Sequence, residues 1–227
     1  MAGTQYRDST GRTLSDYPRP SVAVDTALLA PDPDDGLVVL QVKRPGSQRW
    51  ALPGSFLHQG ERLADAVNRS LEVKAGVSGI HPHQLGVFDD PNRDERGWVL
   101  SVAYWAVVPL EQLDARLIEQ TRLMPVEKCG RLIYDHRLII SEAVDRIRSE
   151  YRDRPDPEHL LGAEFTVLQL RLLHQTIAGG KFDRDWFRRT MKDKLVPTGM
   201  VTDGTRGRPA ELFQRVIADT AGNARRW

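Results

Sequence analysis

The first twenty residues, MAGTQYRDSTGRTLSDYPRP, are polar throughout and predict a mobile arm. Apolar runs at 22–29 and 37–42 follow, split by Pro31, Pro33 and Gly36, a pattern that predicts two strands joined by a turn. Trp50-Ala-Leu-Pro-Gly54 leads into a helical stretch at 61–75, which Gly76 should end. Residues 84–88 and 98–108 read as two further strands around an exposed turn, DDPNRDERG. In 136–151 the residues Leu138, Ile139, Ala143 and Ile147 fall near one face of an amphipathic helix, with Asp135 as its N-cap. The segment RDRPDPEH that follows holds two prolines among charged neighbours and reads as a linker.

Beyond the linker the texture changes. Residues 165–177 predict a helix with Thr166 as N-cap and Gly179-Gly180 as its stop. Asp183 can cap a second helix running to about Leu195, on which Phe187, Met191 and Leu195 recur every four residues and should face a core. A short strand, a Gly/Arg loop and a strand from about Glu211 complete a wing. The expected division is an arm at 1–20, a first domain at 21–152, a linker at 153–160 and a second domain at 161–227.

Composition narrows this modestly. The chain has 227 residues and a formal charge of +1. From residue 154 onward there are 13 Lys+Arg against 9 Asp+Glu, so the second half is basic and the first mildly acidic, a hint of nucleic acid for the second. Cys129, the single cysteine, excludes an internal disulfide and reads as a small structural hydrophobe. No signal peptide and no apolar run of membrane-spanning length is visible, so a cytoplasmic protein with no membrane partner is expected.

The chemistry concentrates in GSFLHQGERLADAVNRSLEVKAGV, residues 54–77. Its spacing resembles the Nudix box, G-x5-E-x7-R-E-U-x-E-E-x-G-U with U aliphatic. Anchored on Glu61, the frame places Arg69, Leu71, Gly76 and Val77 correctly, while its first glycine falls on Ser55, one residue after Gly54. The three remaining acids are replaced by Ser70, Val73 and Lys74, which at i, i+3, i+4 should share one helix face. In Nudix enzymes those carboxylates hold a divalent cation against a diphosphate, and hard cations want several oxygen ligands. A hydroxyl, an apolar side chain and an ammonium offer no such set. Glu72 occupies a variable position and should point away. Neither catalytic residues nor a metal site is therefore expected. His81-Pro82-His83 supplies too few ligands for a metal, and His58 reads as a solvated loop histidine.

On the second helix of the C-terminal unit, Arg184, Arg188, Arg189 and Lys192 should project outward. With Thr205, Arg206 and Arg208 of the GTRGRP loop they form the expected DNA-binding surface, since a winged helix-turn-helix places its second helix in the major groove.

The whole chain, over about residues 20–215, resembles the Nudix-related transcriptional regulators of NAD metabolism in bacteria. FDRDWFRR at 182–189, VPTG at 196–199 and GTRGRPAELF at 204–213 carry the resemblance. It implies an α/β chain: an N-terminal Nudix-like α/β/α sandwich followed by a C-terminal winged helix-turn-helix. It also implies a homodimeric repressor of NAD biosynthesis or salvage genes on a double-stranded operator with an inverted repeat. No cofactor is implied. The implied effector is ADP-ribose or a related nucleotide, taken by Arg44, Trp50, Gly54, Phe56, Glu61 and Lys74. One departure stands out: members often carry asparagine before the Phe-Arg-Arg segment, and this chain carries Trp186. Trp50 reads either as core or as a stacking face for a base. Two other readings stay open: an ADP-ribose or NAD pyrophosphatase with an atypical metal site, and a regulator that uses its Nudix domain only to dimerise.

Overall fold

The computed structural model describes residues 6–44, 46–114, 120–203 and 209–216. Its elements, in order, are β1 (Ser21–Asp32), β2 (Gly36–Lys43), β3 (Trp50–Ala51), β4 (Gly54–Phe56), α1 (Leu63–Ala75), β5 (His83–Phe88), β6 (Val99–Val107), α2 (Glu111–Asp114), β7 (Thr121–Pro125), α3 (His136–Asp153), α4 (Val167–Ala178), α5 (Arg184–Met191), β8 (Leu195–Val201) and β9 (Glu211–Arg215).

Strands β3-β2-β1-β6-β5 form one mixed sheet, with β4 added on β1 and β7 on β2. Only β1 and β6 run parallel among these pairings, with Val24 opposite Val102. The long apolar runs are explained by burial on both faces. Along β1, Val24, Leu28 and Ala30 point to one core while Ala27 and Leu29 point to the other. The same alternation along β2 and β6 follows from the two-residue period of a strand. Helix α1 covers one face through Ala66, Val67, Leu71 and Ala75, and α3 covers the opposite face. Gly76 closes α1 in the left-handed conformation, which glycine adopts without a Cβ clash.

Helix α3 buries Ile139, Ile140, Ala143, Val144, Ile147 and Tyr151, the stripe a 3.6-residue period requires. Leu138, expected on that face, is 53 % exposed, because it stands about 100° around the axis from Ile139. Asp135 does not cap α3 with its side chain; its carboxylate is held by Arg93. The expected exposed turn after β5 is also corrected, since Arg93 and Asp94 are buried within it. Part of the supposed arm is built as well: Thr13 is buried and starts a short 3-10 turn over Leu14–Asp16.

The C-terminal unit has its own small core of Phe165, Leu170, Phe187, Met191 and Leu195. Thr166 caps α4, accepting from the Gln169 N–H, and Gly179 ends it. Asp183 caps α5, accepting from Asp185 and Trp186 N–H. β8 and β9 pair antiparallel as the wing. Leu173 and Ile177 of α4 join the core cluster of the large sheet rather than this one.

The joining segment is not a free linker. Asp156 is wholly buried, with φ of 46°, and accepts from the Tyr151 hydroxyl at 2.9 Å and from Leu160 and Leu161 N–H at 2.8 Å each. Arg215 of β9 forms an ion pair with the same carboxylate and donates to the carbonyls of Asp156, Leu161 and Gly162. One buried acid thereby ties the end of α3 to the wing.

Candidate functional site

Strand β4 lies antiparallel to β1 with Gly54 opposite Asp25. The approach is so close that a Cβ on Gly54 would stand 2.0 Å from Asp25 Oδ1. Asp25 is buried, and its Oδ2 accepts from Ser101 Oγ at 2.6 Å and from Arg93 at 3.4 Å. His136, the first residue of α3, accepts from the Leu52 N–H on Nδ1 at 2.9 Å, so its proton sits on Nε2, 3.3 Å from Asp25 Oδ1. That contact is close but poorly aligned for a hydrogen bond. Burial pushes the Asp25 carboxyl up, but His136, Ser101 and Arg93 outweigh it and hold the pKa at about 2. Arg93 in turn grips Asp135 in a bidentate pair at 2.8 and 2.6 Å.

Above this network opens a cleft of about 400 Å³, in the range of small-molecule sites. Its walls include Arg44, Phe56, Val73, Lys74, Arg96 and Tyr134. The Arg96 guanidinium lies over the Phe56 ring at 4.9 Å and the Tyr134 ring at 5.0 Å, and is steadied by Asp94 at 2.7 Å. The Lys74 stem is exposed while its ammonium tucks under the loop and donates to the Gly54 carbonyl. Burial draws the Lys74 pKa down, and Asp25 pulls it partly back.

The box itself is reorganised. Glu61 forms a bidentate pair with Arg69 at 2.7 and 2.8 Å and also accepts from the His58 N–H. Arg69, helped by that N–H, holds the Glu61 carboxyl at about 2. Ser70 is buried against the sheet and does not share the open face with Val73, which is 75 % exposed. Among the described residues, no group of three or more His, Cys, Asp or Glu is placed to hold a metal ion.

Of the residues expected to take the effector, Arg44, Gly54, Phe56 and Lys74 line the cleft. Trp50 and Glu61 do not. Arg122 covers one face of the Trp50 ring at 4.0 Å and the side chain packs against the core of the sheet, while Glu61 is spent on Arg69. The cleft also uses Asp25, Arg93, Asp94, Arg96, Tyr134 and His136, none of which the sequence singled out. One signal was present: Asp25 is a lone carboxylate in the apolar run VAVDTALLA. His83, considered for a metal, stacks on Trp105 and faces Glu158 instead.

The second surface is α5. Its two faces separate sharply: Phe187 and Met191 are buried, while Arg184, Arg188 and Arg189, with Lys192 just beyond, are exposed. Arg184 and Arg188 line a shallow groove with Arg171 of α4, beside the wing. Thr205, Arg206 and Arg208 lie outside the described residues.

A family model described as the NrtR DNA-binding winged helix domain matches residues 157–214. The chain is 28 % identical over 219 residues to the ADPR responsive transcriptional repressor NtrR of Acinetobacter baylyi, covering 90 % of this chain and 86 % of that one. The chain belongs to the NrtR family of Nudix-related regulators. Its fold matches the crystal structure of Shewanella oneidensis NrtR complexed with a 27mer DNA, with a TM-score of 0.70 and 28 % identity over 86 % of this chain and 93 % of that one. The NUDIX domain of the same Shewanella protein complexed with ADP ribose matches with a TM-score of 0.51 and 26 % identity, over 61 % of this chain and 95 % of that one. The sheet-bearing part is also 30 % identical over 128 residues to the ADP-ribose pyrophosphatase of Methanocaldococcus jannaschii, covering 56 % of this chain and 74 % of the enzyme. This NrtR-family chain thus pairs an α/β/α Nudix unit with a winged helix-turn-helix.

Proposed function

We propose that the chain is a DNA-binding transcriptional repressor of NAD biosynthesis or salvage genes, and that its cleft senses an NAD-derived nucleotide such as ADP-ribose. The observation that carries this reading is the two-faced α5: a buried apolar side and an exposed side of Arg184, Arg188 and Arg189. A homodimer would present two such helices to an inverted repeat, and Thr205, Arg206 and Arg208 would add backbone contacts. Residues 21–152 would sense and 161–227 would bind DNA.

The cleft in this reading binds without cutting. Ser70 faces the core, Val73 carries no ligand atom, and Lys74 brings positive charge of its own. An ammonium can attract a diphosphate as a point charge, but it cannot make hydroxide from water as a bound metal does. Arg44 and Lys74 would take the phosphates, with Phe56 and Tyr134 beside the base or sugar. A sensor that consumed its ligand would erase its signal.

The test has two arms. Incubated with ADP-ribose and magnesium, the protein should yield no AMP, and turnover near roughly 1 per second would refute a dead box. On operator DNA, Arg188→Ala or Arg189→Ala should cost about 1–3 kcal/mol if the side chain reads a base edge. Operator affinity that stays unchanged in both variants would show that α5 is not the reading helix. For the cleft, Lys74→Glu should weaken ADP-ribose binding in metal-free buffer and leave DNA affinity of the unliganded protein in place.

A further inference from the structure

The exposed arginines of α5 fall into two groups. Arg184 and Arg188, one helical turn apart, line the groove of about 370 Å³ beside the wing, and Arg189 does not. Arg171, which its local sequence does not mark, lines the same groove from α4. Its Nη1 donates to Gln175 Oε1 at 3.1 Å and to the Phe182 carbonyl at 3.3 Å. Gln175 Oε1 also accepts from the Phe182 N–H at 3.0 Å. These bonds fasten the guanidinium to the turn between α4 and α5. They leave Nε and Nη2, one edge of the fork, without a partner among the described residues.

Elsewhere in the chain arginines are matched to acids: Arg69 to Glu61, Arg93 to Asp135, Arg96 to Asp94 and Arg215 to Asp156. Among the described residues, no ion pair includes Arg171, Arg184 or Arg188. Glu211 of β9 is the single acid among the described residues that line the groove, so three cations face one anion there. Guanidiniums gathered on one groove repel each other, and an anion held between them relieves that repulsion. Leu168 and Phe213 add apolar wall, and Leu168 is 55 % exposed. Charged donors beside apolar wall suit a sugar–phosphate chain, whose anionic groups alternate with C–H surface, better than a free inorganic anion.

Resting on the DNA-binding reading, we propose that this groove seats a backbone phosphate of the operator and that Arg171 is a DNA-positioning residue. Arg184 and Arg188 reach the phosphate from α5, and Arg171 reaches it from α4 through the free edge of its fork. Because the same guanidinium is bonded to the turn between the helices, the phosphate fixes the depth and angle at which α5 enters the major groove. The basic face of α5 thereby divides its work. Arg184 and Arg188 position the protein, and Arg189, outside the groove, is left to reach base edges.

The full-length protein is titrated by fluorescence anisotropy into two duplexes of equal length, one that the parent selects from a random-sequence pool and one unrelated to it. Salt is varied between about 50 and 200 mM potassium chloride. Arg171→Gln should weaken both duplexes by the same factor, about fivefold or more, and should flatten the slope of log affinity against log salt by about 1 for each chain bound. Arg184→Gln should do the same. Arg184 makes no hydrogen bond or ion pair among the described residues, so its loss breaks no internal polar contact and decides the matter if Arg171→Gln folds poorly. Arg189→Gln, by contrast, should cost more on the selected duplex than on the unrelated one. A parent that binds neither duplex would overturn the DNA-binding reading and the phosphate seat together. The seat alone fails if the parent binds while Arg171→Gln and Arg184→Gln keep its affinity and salt slope. It also fails if their loss is confined to the selected duplex, or comes with an unchanged salt slope, as a merely structural role would give.

Discussion

Replacing Asp156 tests whether one buried carboxylate holds the two units together. In Asp156→Ala the Arg215 guanidinium, 13 % exposed, loses its counter-ion, and the Tyr151 hydroxyl and two backbone N–H groups lose their acceptor. Burial, reinforced by Asp156, pushes the Tyr151 hydroxyl far above its usual range, so it remains a donor and cannot relieve the loss by ionising. Breaking a buried pair by removing one partner costs about 3–5 kcal/mol. Arg215 keeps three carbonyl acceptors, which softens the loss, while a φ of 46° adds about 1 kcal/mol of strain for alanine. A net loss of about 3–5 kcal/mol follows. In a chain of this size each kcal/mol lowers the melting temperature by roughly 2–4 °C, so thermal unfolding followed by circular dichroism should show a drop of roughly 6–20 °C. Asp156→Asn tolerates the backbone and keeps one acceptor oxygen, so it should fall between parent and alanine variant. The C-terminal unit should also lose its fixed attachment to α3, visible as new proteolytic cutting around residues 152–162. If Asp156→Ala melts within 2 °C of the parent and resists protease equally, the joint is not held by this residue.

Acid should expose the Asp25 network: its pKa of about 2, against an ordinary aspartate value of 3.8, means its stabilisation is complete above about pH 4 and is lost as pH falls through 2, worth about 2 kcal/mol. Denaturant titrations of the parent and Asp25→Asn at pH 5 and pH 2.5 should show a gap that shrinks to about a third at the lower value, and an equal gap at both would assign acid lability to other carboxylates. Gly54→Ala should destabilise the fold and abolish nucleotide binding, since the new Cβ would fall 2.0 Å from Asp25 Oδ1 and 2.7 Å from the Val24 carbonyl. Overpacking of this kind costs about 1–3 kcal/mol, and a variant with parental melting temperature and ADP-ribose affinity would show that β4 can yield there.

The division of the chain into a strand-rich unit and a helical one with a wing is written in local pattern. Two-residue alternation, the Gly76 and Gly179 stops, and the Thr166 and Asp183 caps act within a few residues, so their free energy is legible without the fold. The Nudix frame and the loss of its acids at 70, 73 and 74 are likewise matters of spacing, as is the basic face of α5. What the tertiary structure alone decided is which charges meet. Asp25, Arg93 and His136 come from β1, the turn after β5 and the start of α3, and only the sheet brings them under Gly54. The same holds for Trp50, core or stacking face by sequence and found packed on the core under Arg122, for Glu61, neutralised by Arg69, and for a proline-rich linker that is a joint because Arg215 returns from the wing to Asp156. Periodicity records how a residue sits against its near neighbours. A buried ion pair is worth forming only once folding has stripped water from both partners, so nothing in either one's local sequence announces it.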